Sequence, residues 1–316
     1  MPKFSIIVPV YNCEKDLPKC LDTLVGQTLS DIEIIIVNDG SPDNSQAIID
    51  DYVSRYPNLI KAYAQENRGQ SAARNAALEK ASGEFVFFVD SDDYVEVTAC
   101  EKTYNFAKEN GDLDIVCFNY WIEQDGREPN FCNRVIFEDL PTDEKYVMFE
   151  SSPCTKVIRR SILADNGLKF LENYIYEDFE LIPRLILYTQ KVGYMTDAFY
   201  HYIIHEGSTM RQKTYNKKLS SIYFVLESLK KAFENTKYRE VLEYLYIEHL
   251  LHLSTLRYLD YEEGKEDIRK IAGIMKEYFP KWRKNKYYQY SDLKVKIFCE
   301  LAARKQIKLL KLIMKK

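Results

Sequence analysis

The sequence predicts an α/β protein, a mostly parallel sheet flanked by helices, followed by an α-helical C-terminal region. Two observations carry the sheet. Strand-like and helix-like stretches alternate at short spacing through residues 4–89, the pattern of parallel strands joined by crossover helices. The strand-like runs are also continuously apolar, as strands covered on both faces must be. A third observation marks where the pattern ends. Beyond about Tyr215 leucines and tyrosines recur at helical spacing, and the chain reads as a separate helical region.

Taken in order, Phe4 to Val10 is a β-rich run, and Leu17, Cys20, Leu21 and Leu24 place one apolar face on the helix that follows. Ile32 to Val37 reads as a second strand, closed by the turn residues Asn38-Asp39-Gly40-Ser41. Ile48, Ile49 and Tyr52 mark a second helix, and Leu59 to Tyr63 a third strand. Ala72 to Ala81 is rich in good helix formers, and Glu84 to Val89 is a fourth strand. Asp114 to Tyr120 and Arg134 to Phe137 look like further strands. Cys154 to Leu163 carries the basic residues Lys156, Arg159 and Arg160. In NYIYEDFELIPRLI, Glu177-Asp178 opens an apolar helical pattern of Phe179, Ile182, Leu185 and Ile186. Tyr223, Leu226, Leu229, Leu242, Leu245, Leu250 and Leu251 then set the helical region. The expected division is residues 1–214, in halves of about 1–95 and 96–214, and residues 215–316.

Composition narrows the class. An apolar share of 46% with 14% aromatics excludes a disordered chain. No run reaches the roughly 18–20 apolar residues of a spanning helix. MPKFSIIVPVYN turns polar too soon for a secretory leader. The seven cysteines form no CxxC pair, so they are expected as reduced thiols of a cytoplasmic protein, and a zinc site has no support. Neither GxGxxG nor GxxxxGK[ST] occurs, which argues against a dinucleotide oxidoreductase or a P-loop NTPase.

Ligands of open α/β sheets bind beyond the carboxyl ends of the strands. Here those ends carry Tyr11-Asn12, Asp39-Gly40, Glu66-Asn67 and Asp90-Ser91-Asp92, so the expected site is a polar, metal-bearing crevice. Hard cations such as Mn²⁺ or Mg²⁺ bind through one or two carboxylates plus substrate phosphates, which suits Asp90 and Asp92. The same Asp-x-Asp also suits an acidic turn or a helix cap. Asp39 can accept from a base N–H or ribose hydroxyl, or close an Asx-turn before Gly40. In ENRGQSAARNAAL, Arg68 and Arg74 can meet a phosphate or stand in solvent. Glu177-Asp178 offers a general base, or simply two acids favoured at a helix N-terminus. His201 and His205 fit a metal ligand or diphosphate contact, although two histidines among tyrosines more often serve ordinary packing, while His249 and His252 read as structural.

Together and in this order, SIIVPVYN (5–12), IIIVNDGSPDNS (34–45), ENRGQSAARNAAL (66–78), FVFFVDSDD (85–93) and YEDFELIPR (176–184) resemble the inverting nucleotide-sugar glycosyltransferases of family 2, which have the Rossmann-like GT-A fold. The variant with CTKVIRRSIL, then ED, then HEGS resembles enzymes of bacterial capsule, teichoic-acid and cell-surface polysaccharide synthesis. The resemblance implies a UDP-linked or other nucleotide-sugar donor and a glycan or lipid-linked glycan acceptor, and it allows a homodimer. It places Pro9, Tyr11 and Asp39 at the nucleotide base, with Asn67 and Arg74 at the base, ribose or phosphates. Asp90, with Ser91, would sit at the ribose, and Asp92 at an Mn²⁺ or Mg²⁺ ion that Asp90 and His205 could also approach. Asp178 would be the base, with Glu177 positioning the acceptor, and Lys156, His205 and Ser208 would lie around the diphosphate or acceptor. Cys154-Thr155-Lys156 departs from the Trp-Asn-Lys frequent in the family. Two rival readings are a polyprenyl-phosphate glycosyltransferase and a non-catalytic nucleotide-sugar-binding subunit of an assembly complex.

Net charge is −4, but residues 281–316 hold twelve Lys/Arg against Asp292 and Glu300. The tail reads either as a helix packed on the protein with a solvated basic face, or as an interfacial helix drawn to the inner leaflet of a membrane. No nucleic-acid module accompanies it and the rest of the chain is acidic, so nucleic acid is not an expected partner.

Overall fold

A computed structural model describes residues 1–124, 126–132, 140–148, 151–189, 191–204 and 215–314. The chain divides into two compact units, Met1–Glu206 and Gly207–Lys316.

The first unit is built on one sheet. Its described strands run in the order β3-β2-β1-β4-β8-β6-β9-β5, with β7 paired to β6. On one side, β1 (Phe4–Val10), β2 (Ile32–Asn38), β3 (Ile60–Ala64) and β4 (Phe85–Phe88) are mutually parallel. Three helices make the crossovers: α1 (Leu17–Val25), α2 (Ser45–Arg55) and α3 (Gln70–Lys80). Every residue of β1, β2 and β4 is buried, as their unbroken apolar runs require. Helix α1 takes Pro18 in its first turn, where a missing N–H costs nothing, and buries the predicted Leu17, Cys20, Leu21 and Leu24.

Beyond β4 the sheet becomes mixed. The chain continues through β5 (Tyr94–Val95), α4 (Ala99–Glu109), β6 (Ile115–Glu123), β7 (Asn130–Cys132), α5 (Thr142–Met148), β8 (Lys156–Arg159), α6 (Arg160–Ala164), α7 (Glu177–Leu181) and β9 (Val192–Ile203). Strand β8 runs antiparallel between β4 and β6, and β9 lies parallel to β6. The predicted Cys154–Leu163 segment resolves into a 3₁₀ turn, β8 and α6. Arg134–Phe137 lies outside the described residues. The apolar helix at Glu177 stops after five residues, because Pro183 cannot donate to the helix and turns the chain into a 3₁₀ stretch, Pro183–Leu187.

A buried polar clamp closes the amino-terminal edge of the parallel strands. Glu33 accepts from the Ser5 hydroxyl (2.6 Å), the Ser82 N–H (2.7 Å), the Ser82 hydroxyl (2.8 Å) and Lys61 Nζ (2.7 Å). Burial alone would raise its pKa; these four donors more than offset it and pull the carboxyl down to about 2. The polar demands of that edge are met internally.

The second unit is helical: α8 (Ser221–Phe233), α9 (Arg239–Leu245), a π-helical stretch Tyr246–Ser254, α10 (Thr255–Tyr258), α11 (Gly264–Tyr278), α12 (Leu293–Ala303) and α13 (Ile307–Met314). Its core holds the predicted Leu226, Leu229, Leu242, Leu245, Leu250 and Leu251. Among the described residues no helix is long and apolar enough to cross a membrane.

Candidate active site

The strand order 3-2-1-4 reverses direction between β1 and β4, and a crevice opens beyond the carboxyl ends of strands at such a point. Tyr11-Asn12 leaves β1 there and Asp90-Ser91-Asp92 leaves β4. Asn12 has φ 52°, a left-handed conformation open to few residues besides glycine and asparagine. Its N–H donates to the Ser41 hydroxyl (3.2 Å), tying the β1 exit to the β2 exit.

Asp39, at the end of β2, is only 2% exposed. Its Oδ1 accepts from Gln65 Nε2 (2.7 Å) and the Arg68 N–H (2.9 Å), and its Oδ2 from the Gly69 N–H (2.7 Å). The carboxylate therefore folds the 65–69 loop onto the strand end. Gly40 fits this junction for two reasons: its φ is +69°, and a Cβ would stand 3.0 Å from the Asn67 nitrogen.

The loop feeds α3, whose Gln70 and Arg74 lie four apart and share a face. Both reach Asp90 Oδ1, Gln70 Nε2 at 2.9 Å and Arg74 Nη2 at 2.7 Å. Arg74 Nη1 also faces Glu177 Oε1 at 3.4 Å. The guanidinium is 3% exposed. Burial alone would lower its pKa; the carboxylates of Asp90 and Glu177 reverse the effect and hold it raised, so it stays a fixed cation. Glu177 is itself raised, first by burial and next by the adjacent Asp178, with Arg74 opposing. Tyr176, just before this pair, is held at φ 67°, a conformation that costs on the order of 1–3 kcal/mol, and Glu177 follows it onto Arg74.

Around Asp90 the chain alternates. Ser91 and Asp93 point inward and are buried, while Asp92 is exposed. The Cys13 thiol donates to Ser91 Oγ (3.1 Å), and Cys20 to the Asp90 carbonyl (3.7 Å). Among the described residues no group of three or more His, Cys, Asp or Glu side chains could cage a metal. An exposed Asp92 beside a part-exposed Asp90 fits instead a hard cation that completes its shell with phosphate and water oxygens.

A model of glycosyl transferase family 2 matches residues 5–167. The putative glycosyltransferase EpsH of Bacillus subtilis is 35% identical over 266 residues, 80% of this chain and 76% of its own. This chain belongs to glycosyltransferase family 2. The Bacillus subtilis minor teichoic acid biosynthesis protein GgaB is 32% identical over 67% of the chain, which spans only 24% of GgaB. The crystal structure of S. aureus TarS 1-349 in complex with UDP superposes with a TM-score of 0.62 at 23% identity, covering 98% of this chain and 83% of that one, and shows the same GT-A fold.

In this glycosyltransferase, the residues singled out by sequence lie in different surroundings. Asp90, Arg74 and Glu177 are brought together by ion pairs, with Asp92 two residues beyond Asp90 and Asp178 next to Glu177 in the chain, and Ser91 accepts from the Cys13 thiol. Pro9 is buried in β1, while Tyr11 (51% exposed) and Asn67 stand open at the rim. Lys156 departs from the place expected beside a diphosphate. It is fully buried in β8, where its ammonium donates to the Ser152 carbonyl and the Thr155 hydroxyl (3.1 Å). Arg68 is exposed and pairs with Glu172 at 2.7 Å. His201 is held between Glu123 (2.7 Å) and Glu96 (3.0 Å), stacked on Tyr94. His205 and Ser208 lie outside the described residues. Sequence reasoning did not single out Gln70 or Tyr200. Gln70's spacing to Arg74 was a usable signal; Tyr200, among the many tyrosines, gave none.

Proposed function

We propose that this glycosyltransferase moves a sugar from a UDP-linked donor to a hydroxyl of a cell-surface glycan acceptor, with inversion. The observation that carries the reading is the Asp90–Arg74–Glu177 constellation, with exposed Asp92 on one side and Asp178 on the other. The UDP complex of TarS supports the donor, and the teichoic acid role of GgaB supports the acceptor class.

An inverting transfer is an in-line displacement, so a base is needed on one face of the sugar and charge stabilisation on the other. Asp178 takes the proton of the attacking hydroxyl; its Oδ1 already accepts the Phe179 N–H at 2.7 Å, which fixes the carboxylate's orientation at the start of α7. Glu177 does not compete for that role, because it is drawn back toward Arg74. Arg74 in turn holds Asp90 in a single rotamer for the ribose. A divalent cation held by Asp92, with Asp90 beside it, would supply Lewis-acid stabilisation of the departing diphosphate. The test is Asp178→Asn with UDP-sugar donors and a polymer acceptor: donor binding is retained and turnover falls by about 10²-fold or more. Unchanged turnover removes the base and points to a phosphate acceptor, which needs none.

The basic tail supports action at a membrane surface. Leu309 and Leu312 of α13 are 46% and 67% exposed, and Leu293 and Ile297 of α12 are also outward, while Phe298, Cys299, Ala302 and Leu310 supply the packing. Exposed Lys294, Arg304, Lys305 and Lys308 surround this apolar surface, a combination that fits an anionic inner leaflet. Co-sedimentation of the full chain with phosphatidylglycerol vesicles checks it. Leu309→Ser with Leu312→Ser lowers the bound fraction, and an unchanged fraction refutes the role.

A further inference from the structure

Asp93, the third acid after β4, is the buried carboxylate that neither the base nor the cation claims. It is 3% exposed, and both its oxygens are occupied by β9. Oδ2 accepts the Tyr200 hydroxyl at 2.5 Å, and Oδ1 accepts the Ile203 N–H at 2.8 Å. The Tyr200 oxygen in turn accepts the Asp90 N–H at 3.2 Å. The Asp93 N–H donates to the Asp90 carbonyl at 3.1 Å, closing the turn on itself. Asp90 is thus held through both its backbone groups, by Tyr200 on one side and by Asp93 on the other.

We infer that Asp93 and Tyr200 are a positioning pair that presets the Asp90-Ser91-Asp92 turn from strand β9 before donor and cation arrive. This rests on the reading of that turn as the donor site. A role for Asp93 as a further cation ligand does not fit, because its two oxygens face β9 and are spent there. Neither does a role as a simple helix cap, since the bonds span more than a hundred residues of sequence, from Asp93 to Tyr200 and Ile203. With the turn preset, the ordering of its backbone is complete before binding, and the binding step does not carry that cost. A loosened turn must be ordered by the ligand, so the loss falls on donor and cation affinity rather than on the rate at saturation.

The decisive variant is Tyr200→Phe, which removes one oxygen and keeps the buried ring; Asp93→Asn keeps one acceptor oxygen and serves where Tyr200→Phe does not fold. Three measurements on the full chain are needed: hydrogen exchange at the Asp90 amide, Mn²⁺ affinity with UDP by electron paramagnetic resonance titration, and KM against kcat for donor. In Tyr200→Phe both hydrogen bonds of the hydroxyl are lost, the Asp90 amide exchanges faster, and Mn²⁺ affinity and donor KM each worsen about tenfold or more. In the same variant kcat at saturating donor stays within about twofold. Asp93→Ala worsens affinity further, and Asp93→Asn recovers part of it. Unaltered Asp90 exchange and Mn²⁺ affinity in a folded Tyr200→Phe overturn the inference, as does a loss confined to kcat. If the wild-type chain binds neither Mn²⁺ nor UDP, the donor-site reading fails, and this inference with it; faster Asp90 exchange alone would then record only a packing role.

Discussion

Replacing Arg74 with methionine tests the constellation that carries the proposed function. The substitution keeps an unbranched side chain of similar length and deletes the cation between Asp90 Oδ1 at 2.7 Å and Glu177 Oε1 at 3.4 Å. Removing one partner of a buried ion pair costs about 3–5 kcal/mol, because it strands the other charge away from water. Here two carboxylates are stranded, but their side chains are 24% and 16% exposed and recover some hydration, which places the loss near the lower end, about 3 kcal/mol. For a unit of this size that lowers Tm by roughly 6–12 °C. The deficit also depends on pH. The Glu177 pKa is already raised, first by burial and then by Asp178, and Arg74 is the influence opposing the rise. An acid whose folded pKa exceeds its unfolded value is protonated more readily in the folded state. Its contribution is therefore complete below the usual carboxylate range and lost as pH rises through the folded pKa. Without Arg74 that loss deepens, so the part of the deficit owed to Glu177 is smaller at about pH 4 than at about pH 8. Thermal unfolding by circular dichroism at the two pH values measures it, and the double variant with Glu177→Gln should lose less than the sum of the singles. A deficit under about 1 kcal/mol, or one indifferent to pH, refutes the claim that Arg74 is the buried counter-charge of the site.

Other consequences are more local. Asp92→Asn, at an exposed position, leaves Tm nearly unchanged while abolishing Mn²⁺-dependent UDP binding by calorimetry; intact binding removes Asp92 from the cation site. Glu33→Gln disturbs the clamp at the far edge of the sheet. Because the folded pKa of Glu33 lies near 2, against 4.5 ordinarily, its stabilisation of up to about 3 kcal/mol is present above pH 4.5 and is lost as pH falls toward 2. Urea unfolding of wild type and variant should therefore differ most at neutral pH and converge in acid. Gly40→Ala places a Cβ 3.0 Å from the Asn67 nitrogen at φ +69°, and should cost roughly 1–2 kcal/mol in the same assay together with weaker donor binding.

The parallel half of the fold was legible because periodicity and burial agree there. Strands covered on both faces must be apolar throughout, and β1, β2 and β4 are. The antiparallel insertion of β8 between β4 and β6 was not legible, since a four-residue strand carrying Lys156 and Arg159 shows neither alternation nor an apolar run. Nor was the π-helical register of Tyr246–Ser254, whose leucines sit at spacings that an α-helix would also accept. In the site, strand-end carboxylates announced themselves by position. What the sequence could not tell was their direction. Asp39, expected at a base or ribose or in a turn, is taken up by the 65–69 loop; Lys156, expected around the diphosphate or acceptor, is buried; and Asp93 is anchored to β9. Each outcome depends on partners more than twenty-five residues away, or, for Lys156, on the burial of its own strand.

The balance of charge in the crevice bears on the order of binding. The proposed site is rich in acids, Asp90, Asp92, Glu177 and Asp178, and Arg74 is already committed to Asp90 and Glu177. A nucleoside diphosphate approaching this surface alone meets carboxylates whose field is concentrated by the low-dielectric walls of the sheet edge. Under the proposed function, a divalent cation held by Asp92 would reverse the sign where the diphosphate is proposed to sit, and Asp92 would meet its hard-oxygen preference only in part. Cation and donor therefore each complete the other's surroundings. Their binding should be strongly cooperative, with UDP affinity rising as Mn²⁺ is added and Mn²⁺ affinity rising by the same factor with UDP, as linkage requires. In that reading the buried Arg74 makes the arrangement stable before either arrives, because it pairs with Asp90 and Glu177 and leaves the proposed cation to Asp92.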